Sequence, residues 1–212
     1  MADYAAIAQA LMDGRSKKVA ELVQAALDEG AKAEDVLTEG LISGMSQIGE
    51  QFKNNEVYVP EVLVAARAMK AGMALLKPAL VAEDVTPAGV VAIGTIEGDL
   101  HDIGKNLVAM MLEGNGFSVI DLGTDVSAEQ FVDAVKNKSA HIVAMSALLT
   151  TTMPNMRKVV EALEAAGLRD QVRIMIGGAP VTDAYAKEIG ADGYSADAAS
   201  AAELALKLMA EK

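Results

Sequence analysis

Apolar residues over the first 81 positions recur with the spacing of amphipathic helices. Leu11, Val19, Leu22 and Val23 fall at or near i, i+3 and i+4 intervals, and the same pattern returns after Pro60. Proline suits the first turn of a helix, because its missing N–H has no intrahelical partner there. We predict a small bundle of four helices, near residues 3–12, 16–28, 33–52 and 60–80.

The pattern changes after a polar segment at residues 82–89, whose proline and glycine mark a linker. Short apolar runs then alternate with amphipathic helices, at residues 90–94, 117–122, 142–146, 172–176 and, more weakly, 192–195. Apolar runs separated by helices predict a parallel sheet covered on both faces. We therefore predict two domains: a helical bundle over 1–86, and a flavodoxin-type, Rossmann-like α/β domain with five parallel strands over 87–212.

In this fold, ligand chemistry lies on the loops that follow strands one and three, at the switch point of strand order. The first loop contains Asp99 and His101, and Asp99 can accept a hydrogen bond from one ring nitrogen and leave the other free for a metal. Gly94, Gly98 and Gly104 allow a tight turn and the close approach of a bulky ligand. The third strand is followed by the hydroxyl-rich stretch Ser146–Thr152.

Each of these features also has a purely structural interpretation. A single loop histidine is often a solvated or helix-capping side chain. Hydroxyls after a strand often form turns, and Asp102 suits the N-cap of the following helix. Gly177-Gly178 after the fourth strand is either a turn or a place where a large ligand needs side chains removed.

Composition excludes several classes of function. The chain has 18 Lys and Arg against 30 Asp and Glu, a net charge of −12, so nucleic acid and anionic membranes are not expected partners. No apolar run approaches the roughly 20 residues needed to cross a bilayer and no export signal is evident, which favours the cytoplasm. With no cysteine and only two histidines, a zinc site of four protein N or S ligands cannot form.

Rival sites of the same fold class lack their signatures. The glycines at 94, 98 and 104 have the wrong spacing for a dinucleotide fingerprint, and no phosphate-binding P-loop is present. Ser146 stands where a receiver domain needs an aspartate. It also lies outside the Gly-x-Ser-x-Gly motif of a hydrolase.

Three ordered elements carry a resemblance to a known family: Asp99-x-His101-x-x-Gly104, Ser146-x-Leu148 and Gly177-Gly178. Their order and spacing resemble the cobalamin-binding signature of the corrinoid proteins of methyltransferase systems, and of the cobalamin modules of methionine synthase. The helical segment resembles the cap domain of the same proteins, most recognisably at residues 57–62 and 66–70. The resemblance thus covers nearly the whole chain.

The resemblance implies a cofactor, cobalamin or a related corrinoid such as methylcobalamin, and a role for each matched residue. His101 would be the lower axial ligand of cobalt, replacing the cofactor's own base, while the corrin supplies four nitrogens. Asp99 and Thr152 would complete a His-Asp-hydroxyl relay. The displaced nucleotide tail and nearby parts of the cofactor would be bound by Asp102, Gly104, Ser146, Leu148, Thr150, Gly177 and Gly178, with Tyr194 and Ala198. Phe52, Val59 and Val62 would cover the methyl face, although Val62 also suits an ordinary bundle core.

As function, the resemblance implies a carrier that shuttles a methyl group on cobalt between a substrate methyltransferase and an acceptor methyltransferase of the thiol or tetrahydrofolate (pterin) type. A reductive activase is a further expected partner, and the linker is the expected hinge of the cap. The donor is open among methanol, methylamines, betaines and aryl methyl ethers. The alternatives are a cobalamin-dependent sensor, an adenosylcobalamin mutase subunit, and a flavodoxin-like scaffold without cobalamin.

Overall fold

The computed structural model of the protein describes residues 2–211. They divide into two compact units. The first extends to Pro87 and includes Gly114–Gly116, and the second contains Ala88–Glu113 and the chain from Phe117 onward. Among the described residues, no helix combines the length and the apolar character needed to span a bilayer.

The first unit is built from helices, as the apolar spacing predicts. They are α1 (Tyr4–Met12), α2 (Ser16–Asp28), α3 (Ala33–Asp35), α4 (Ser43–Lys53) and α5 (Val59–Ala82).

The prediction of one uninterrupted α-helix over 33–52 is wrong, because a π-helical segment, Val36–Ile42, separates α3 from α4. Within this unit, a Cβ added at Gly40 would lie 3.1 Å from Ile7, and one added at Gly44 would lie 3.0 Å from the Ala8 carbonyl oxygen. The segment therefore packs its backbone closely against α1. Apolar spacing over two turns does not distinguish the π-helical period from the α-helical one.

Helix α5 begins and ends close to the predicted positions. Pro60 is its second residue, and the Glu61 carboxylate accepts a hydrogen bond from the Tyr58 N–H at 3.0 Å, which satisfies a free donor at the helix start. Val62, Met69 and Leu76 lie on its buried face, seven residues apart.

The second unit is a five-stranded parallel sheet with the strand order β2-β1-β3-β4-β5. Its strands are β1 (Val90–Thr95), β2 (Ser118–Asp121), β3 (Ile142–Ser146), β4 (Arg173–Gly177) and β5 (Gly193–Ser195). Its α-helices are α6 (Ile103–Gly114), α7 (Ala128–Lys138), α8 (Pro154–Ala165), α9 (Asp183–Ile189) and α10 (Ala198–Ala210), with a 3₁₀ turn at Arg169–Gln171. The predicted fold class and strand order are confirmed.

Two strands are shorter than predicted. Phe117 does not join β2, because its N–H donates to the Leu112 carbonyl at 3.1 Å and so closes the end of α6. Leu122 likewise lies beyond β2, and Asp192 lies before β5. The central strands β1 and β3 are buried almost throughout.

Gly94 in β1 has a packing role. A Cβ added there would lie 2.9 Å from Cζ of Phe131, a fully buried side chain of α7. Space for a ligand is therefore not required to explain the glycine at position 94. The glycine is explained by the contact between helix α7 and the sheet.

His141 holds the opposite, amino-terminal edge of the sheet together. Its Nδ1 accepts the Val90 N–H at 3.0 Å, and its backbone carbonyl accepts the Arg173 N–H at 2.9 Å. This histidine connects the starts of β1, β3 and β4, far along the strands from the loops that carry His101.

A buried lysine fixes helix α6 to strand β2. Lys105 is only 2% exposed, and its Nζ donates to both carboxylate oxygens of Asp121, at 2.6 and 2.7 Å, and to Asn106 Oδ1 at 2.7 Å. Burial alone would raise the pKa of Asp121, but the bonds from Lys105 and from the Gly123 N–H outweigh it and hold that pKa below its usual value. The pair therefore favours the folded state while Asp121 is ionised.

Asp121→Asn should lower the free energy of unfolding at pH 7 by about 1–2 kcal/mol, since the buried Lys105 ammonium loses its counter-charge while Asp121 itself is half exposed. Urea unfolding measures the loss, with Asp133→Asn on the surface of α7 as the control.

Because the folded-state pKa of Asp121 lies below its unfolded value of about 3.9, the pair contributes its full stability above that value. The contribution disappears as the pH falls through the folded-state pKa. The difference between wild type and Asp121→Asn should therefore shrink in acid. A constant difference from pH 7 down to pH about 3 would contradict this account.

Candidate functional site

The loops after β1 and β3 meet at the carboxyl edge of the sheet. Thr95 pairs with Ser146 at the end of the two strands, and the Ile96 N–H donates to the Ser146 carbonyl at 3.0 Å. The first loop then runs through Asp99 and His101 to helix α6, and the second runs through Leu148 to helix α8. The switch point of strand order therefore lies where the sequence predicts it.

Asp99 is fully buried between these loops, and its carboxylate accepts five hydrogen bonds. Oδ1 accepts from the backbone N–H of His101 at 3.0 Å and from the ring Nδ1 of His101 at 2.7 Å. Oδ2 accepts from the N–H groups of Leu148 and Leu149, at 2.8 and 3.3 Å, and from Thr152 Oγ1 at 3.0 Å. One carboxylate thus joins the two loops and all three residues of the predicted relay.

The hydrogen bonds also decide the charge of Asp99. Burial alone would raise its pKa, but the bonds from the Leu148 and His101 N–H groups, the His101 ring and the Thr152 hydroxyl outweigh it, so the pKa lies well below its usual value. Asp99 is therefore a carboxylate at neutral pH. A full negative charge stands beside the His101 ring.

The bond to Asp99 fixes the tautomer of His101. Since a carboxylate only accepts, Nδ1 carries a proton, and in the neutral imidazole Nε2 keeps its lone pair. The His101 side chain is 53% exposed, so Nε2 belongs to a ring that a ligand can reach. Thr95 Oγ1 donates to the His101 backbone carbonyl at 2.9 Å, and this hydrogen bond restrains the loop.

Large apolar side chains next to His101 are exposed on the same two loops and at the start of α6. These are Leu100 on the first loop, Ile103 at the start of α6, which is 79% exposed, and Leu148 and Leu149 on the second loop. An exposed apolar surface around a polar group is typical of a ligand site. This surface suits a broad, largely apolar ring system that carries a metal, because the His101 imidazole can offer that metal one nitrogen ligand.

The glycines near His101 differ in what they do. Gly98 has a φ of +82°, which a glycine adopts without steric cost, and it makes the tight turn of the loop. Gly104 borders open space, because an added Cβ would meet nothing within 4 Å. Packing among the described residues does not explain a glycine at 104, and its role in cofactor binding stays a prediction.

The side chains around His101 suit a cofactor that itself supplies most of the ligands of its metal. Within residues 2–211, no group of three or more His, Cys, Asp or Glu side chains is placed to hold a metal ion. A corrin would fit this arrangement, because it supplies four nitrogens itself and the His101 imidazole would offer one more.

The other predicted binding residues follow strands β3, β4 and β5. Ser146 ends β3 and pairs with Gly177 at the end of β4, which in turn pairs with Ser195 of β5. Tyr194 lies in β5, Ala198 is the buried first residue of α10, and Thr150 is exposed on the second loop. These positions form a row along one edge of the sheet.

Gly178 is required by the fold. A Cβ there would lie 1.8 Å from the Ala147 carbonyl oxygen, and its φ is +125°. The interpretation that this glycine only makes room for a ligand is therefore not needed. At Gly177, an added Cβ would lie 3.2 Å from the Ser195 carbonyl oxygen, which is a tight contact.

Asp102 lies directly before α6, as a helix cap would. Its backbone carbonyl accepts the Asn106 N–H at 2.8 Å, and its carboxylate accepts from the Asn106 side chain at 3.0 Å. In the helical unit, Val62 is fully buried and is a core residue, whereas Phe52 is half-buried and Val59 is exposed. A role for Phe52 and Val59 over a methyl face stays a prediction.

Sequence reasoning missed three residues that support the His101 loop. Thr95 bonds to the His101 carbonyl, Asn155 Nδ2 donates to the Glu97 carbonyl at 2.8 Å, and Asp125 contacts Gly98 and Asp99. Thr95 was detectable as a hydroxyl at the end of a buried strand. Asn155 and Asp125 come from distant segments and carry no local signal.

Comparison with known families agrees with this geometry. Residues 89–203 match a B12 binding domain family, and residues 4–77 match a second B12 binding domain family. The two matches cover both compact units.

Relatives of similar length match along most of the chain. A corrinoid protein of Desulfitobacterium hafniense is 42% identical over 95% of this chain and 94% of its own length. Trimethylamine corrinoid protein 1 of Methanosarcina acetivorans is 44% identical over 89% of this chain and 88% of its own. The fold and site thus define a B12-binding protein, and this chain belongs to the family of corrinoid proteins.

Solved structures support the same assignment. A cobalamin-binding protein from Desulfitobacterium hafniense superposes with a TM-score of 0.83 at 34% identity, over 98% of this chain and 99% of that one. A chain of the methanol:cobalamin methyltransferase complex of Methanosarcina barkeri gives 0.84 at 31% identity, over 98% and 79%. The predicted family and the predicted cobalamin or related corrinoid cofactor are confirmed.

The two histidines should have opposite neutral tautomers. His101 donates from Nδ1 to Asp99, whereas His141 accepts at Nδ1 and so carries its proton on Nε2. Long-range ¹H–¹⁵N NMR of the apoprotein in alkaline buffer should resolve one pattern of each kind. His101→Ala assigns the signals, and an Nε2-protonated His101 would contradict the described geometry.

Proposed function

We propose that this chain is the methyl-carrying corrinoid subunit of a methyltransferase system. The proposal rests on one observation above all: a half-exposed imidazole, held through Nδ1 by a buried carboxylate, lies among exposed apolar side chains in a B12-binding fold. Cobalamin or a related corrinoid is the cofactor, and when bound it supplies a cobalt centre that accepts a methyl group and passes it on.

His101 would hold the cobalt of the bound corrinoid, through Nε2. Asp99 keeps the proton on Nδ1 and makes the imidazole a stronger electron donor, as a carboxylate partner does for metal-bound histidines. The chain therefore both orients the ligand nitrogen and sets its basicity.

Thr152 makes this relay adjustable. Its hydroxyl has one proton and two acceptors within reach, Asp99 Oδ2 at 3.0 Å and the Leu149 carbonyl at 2.9 Å. When the proton points to Asp99 it lowers the electron density that the carboxylate offers His101. When it points to Leu149 that density is restored, so a small movement changes the donor strength of the imidazole.

The row of residues after β3, β4 and β5 is the proposed site for the displaced nucleotide tail. Ser146 and Thr150 offer hydroxyls there, and Gly177 lies beside Ser146 at the end of the next strand. Leu148, Gly178, Tyr194 and Ala198 complete this row in the proposal. Its support is their common position at one edge of the sheet, beside the His101 loop.

The proteins that we expect to bind this chain are methyltransferases. The finer proposal names two methyltransferases, one specific for the methyl donor and one of the thiol or tetrahydrofolate (pterin) type for the acceptor, with a reductive activase as a third partner. Relatives whose names specify trimethylamine or dimethylamine support a donor-specific partner. A cytoplasmic location also belongs to the proposal, and fractionation of source cells tests it.

A donor screen tests the carrier function. The corrinoid-loaded protein is reduced to the Co(I) state with a chemical reductant under anaerobic conditions, and is then mixed with candidate substrate methyltransferases and with methanol, methylamines, betaine or an aryl methyl ether. We expect methylation of the bound cofactor, followed by its visible absorption, only when a donor meets its own methyltransferase. Methylation by the loaded chain alone, or by none of the pairs, would count against a carrier.

His101→Ala tests the axial ligand. The variant should still bind methylcobalamin, but more weakly, because the surrounding apolar surface remains. Its absorption spectrum should differ from that of wild type at saturating cofactor, since no imidazole nitrogen reaches the metal. His141→Gln, at the opposite edge of the sheet, is the matched control and should keep the wild-type spectrum. An unchanged spectrum in His101→Ala would disprove the assignment.

A further inference from the structure

Asp125 contacts the His101 loop from a neighbouring strand connection. Its carboxylate Oδ1 accepts the Gly98 N–H at 2.7 Å, and its own N–H donates to the Asp99 backbone carbonyl at 3.0 Å. Two consecutive residues of the loop are thus bonded to one residue of another segment. Asp125 is exposed and separated from Gly98 by 27 positions.

The segment around Asp125 is itself well fixed. Beyond β2 it continues alongside β1, because the Thr95 N–H donates to the Gly123 carbonyl and the Val126 N–H donates to the Thr95 carbonyl, both at 3.0 Å. Val126 is fully buried and forms a parallel bridge with Ile96. Asp125 therefore lies between Gly123 and Val126, whose backbones are hydrogen-bonded to Thr95 of β1, and its own position is restrained.

The backbone of Asp125 is in an unfavourable region. Its φ is +55°, a left-handed conformation that glycine or asparagine would adopt at lower cost. Such strain persists where the surroundings compensate for it. The carboxylate bond to Gly98 is that compensation, and it gives a reason for a side chain with an acceptor at this position.

The effect of Asp125 reaches the ligand nitrogen through Asp99. The Asp99 N–H donates to the Ile96 carbonyl at 3.0 Å within its own loop, and its carbonyl is held by Asp125. With both backbone groups fixed, the Asp99 carboxylate has one position from which it meets the His101 ring and the donors of the second loop. Loss of the Asp125 bonds would remove the restraint on the Asp99 carbonyl and so loosen the placement of this carboxylate.

We infer that Asp125 is a positioning residue for the metal ligand: it holds the Gly98 N–H and the Asp99 carbonyl, on either side of the Gly98–Asp99 peptide, so that Asp99 orients the His101 ring. The inference rests on the proposed function, because it assigns His101 as the cobalt ligand. Asp125 acts through Gly98 and Asp99 and needs no contact with the cofactor.

Two substitutions separate the hydrogen bond from the backbone strain. Asp125→Gly removes the acceptor and relieves the positive φ, whereas Asp125→Asn keeps an acceptor oxygen and also tolerates that φ. Asp133→Asn, an exposed carboxylate on the following helix α7, is the matched control. The probe is aquacobalamin, titrated into the purified full-length protein.

Asp125→Gly should weaken aquacobalamin binding about fivefold, the effect of one charge-assisted hydrogen bond at an exposed position. At saturating cofactor, the visible spectrum should also show a smaller fraction of histidine-ligated cobalt. Asp125→Asn and Asp133→Asn should match wild type in both. A wild-type fraction of histidine-ligated cobalt in Asp125→Gly would overturn the inference. A loss of binding and ligation in Asp125→Asn equal to that in Asp125→Gly would also overturn it.

Measurements on the wild-type apoprotein keep the test decisive if Asp125→Gly does not fold. The Gly98 amide should exchange its hydrogen slowly, and exchange at the rate of an unprotected glycine would overturn the inference. If the wild-type protein bound no aquacobalamin, the proposed function would fail, while Gly98 exchange and the His101 tautomer would still decide the role of Asp125.

Discussion

The buried carboxylate of Asp99 organises the carboxyl edge of the sheet. A charge without solvent is tolerated only when donors surround it, and here the donors come from both loops of the switch point. The same interaction therefore closes the gap between the loops, fixes the tautomer of His101 and keeps a negative charge beside its ring. If Asp99 were neutral, its oxygens would be poorer acceptors and these consequences would weaken together.

Further hydrogen bonds support the His101 loop around this carboxylate. Thr95 holds the His101 carbonyl, Asn155 holds the Glu97 carbonyl, and Asp125 holds Gly98 and Asp99. Each comes from a different element, so the loop is restrained from several directions before any ligand arrives. A preorganised imidazole lowers the entropy lost on binding, which suits a protein that binds a large corrinoid cofactor.

The parts that followed from the sequence are those encoded locally. Continuous apolar runs between amphipathic helices predict a parallel sheet, and the two-residue spacing of Asp99 and His101 already suggests their contact. Thr152, 53 positions from Asp99, was assigned only through the family resemblance. Asp125 and the Lys105–Asp121 pair escaped notice, because their contacts depend on how β2 and α6 lie beside β1. The π-helical segment was missed because its apolar spacing resembles that of an ordinary helix.

Gly104 and Gly178 belong to the same sequence signature, yet the molecule uses them differently. Any side chain at 178 would collide with the Ala147 backbone, while one at 104 would extend into open space. A substitution to alanine at 178 would therefore oppose folding, whereas at 104 it would leave the packing of the described residues unchanged. Two glycines of one motif are thus constrained differently: backbone packing requires Gly178, and no internal contact among the described residues requires Gly104.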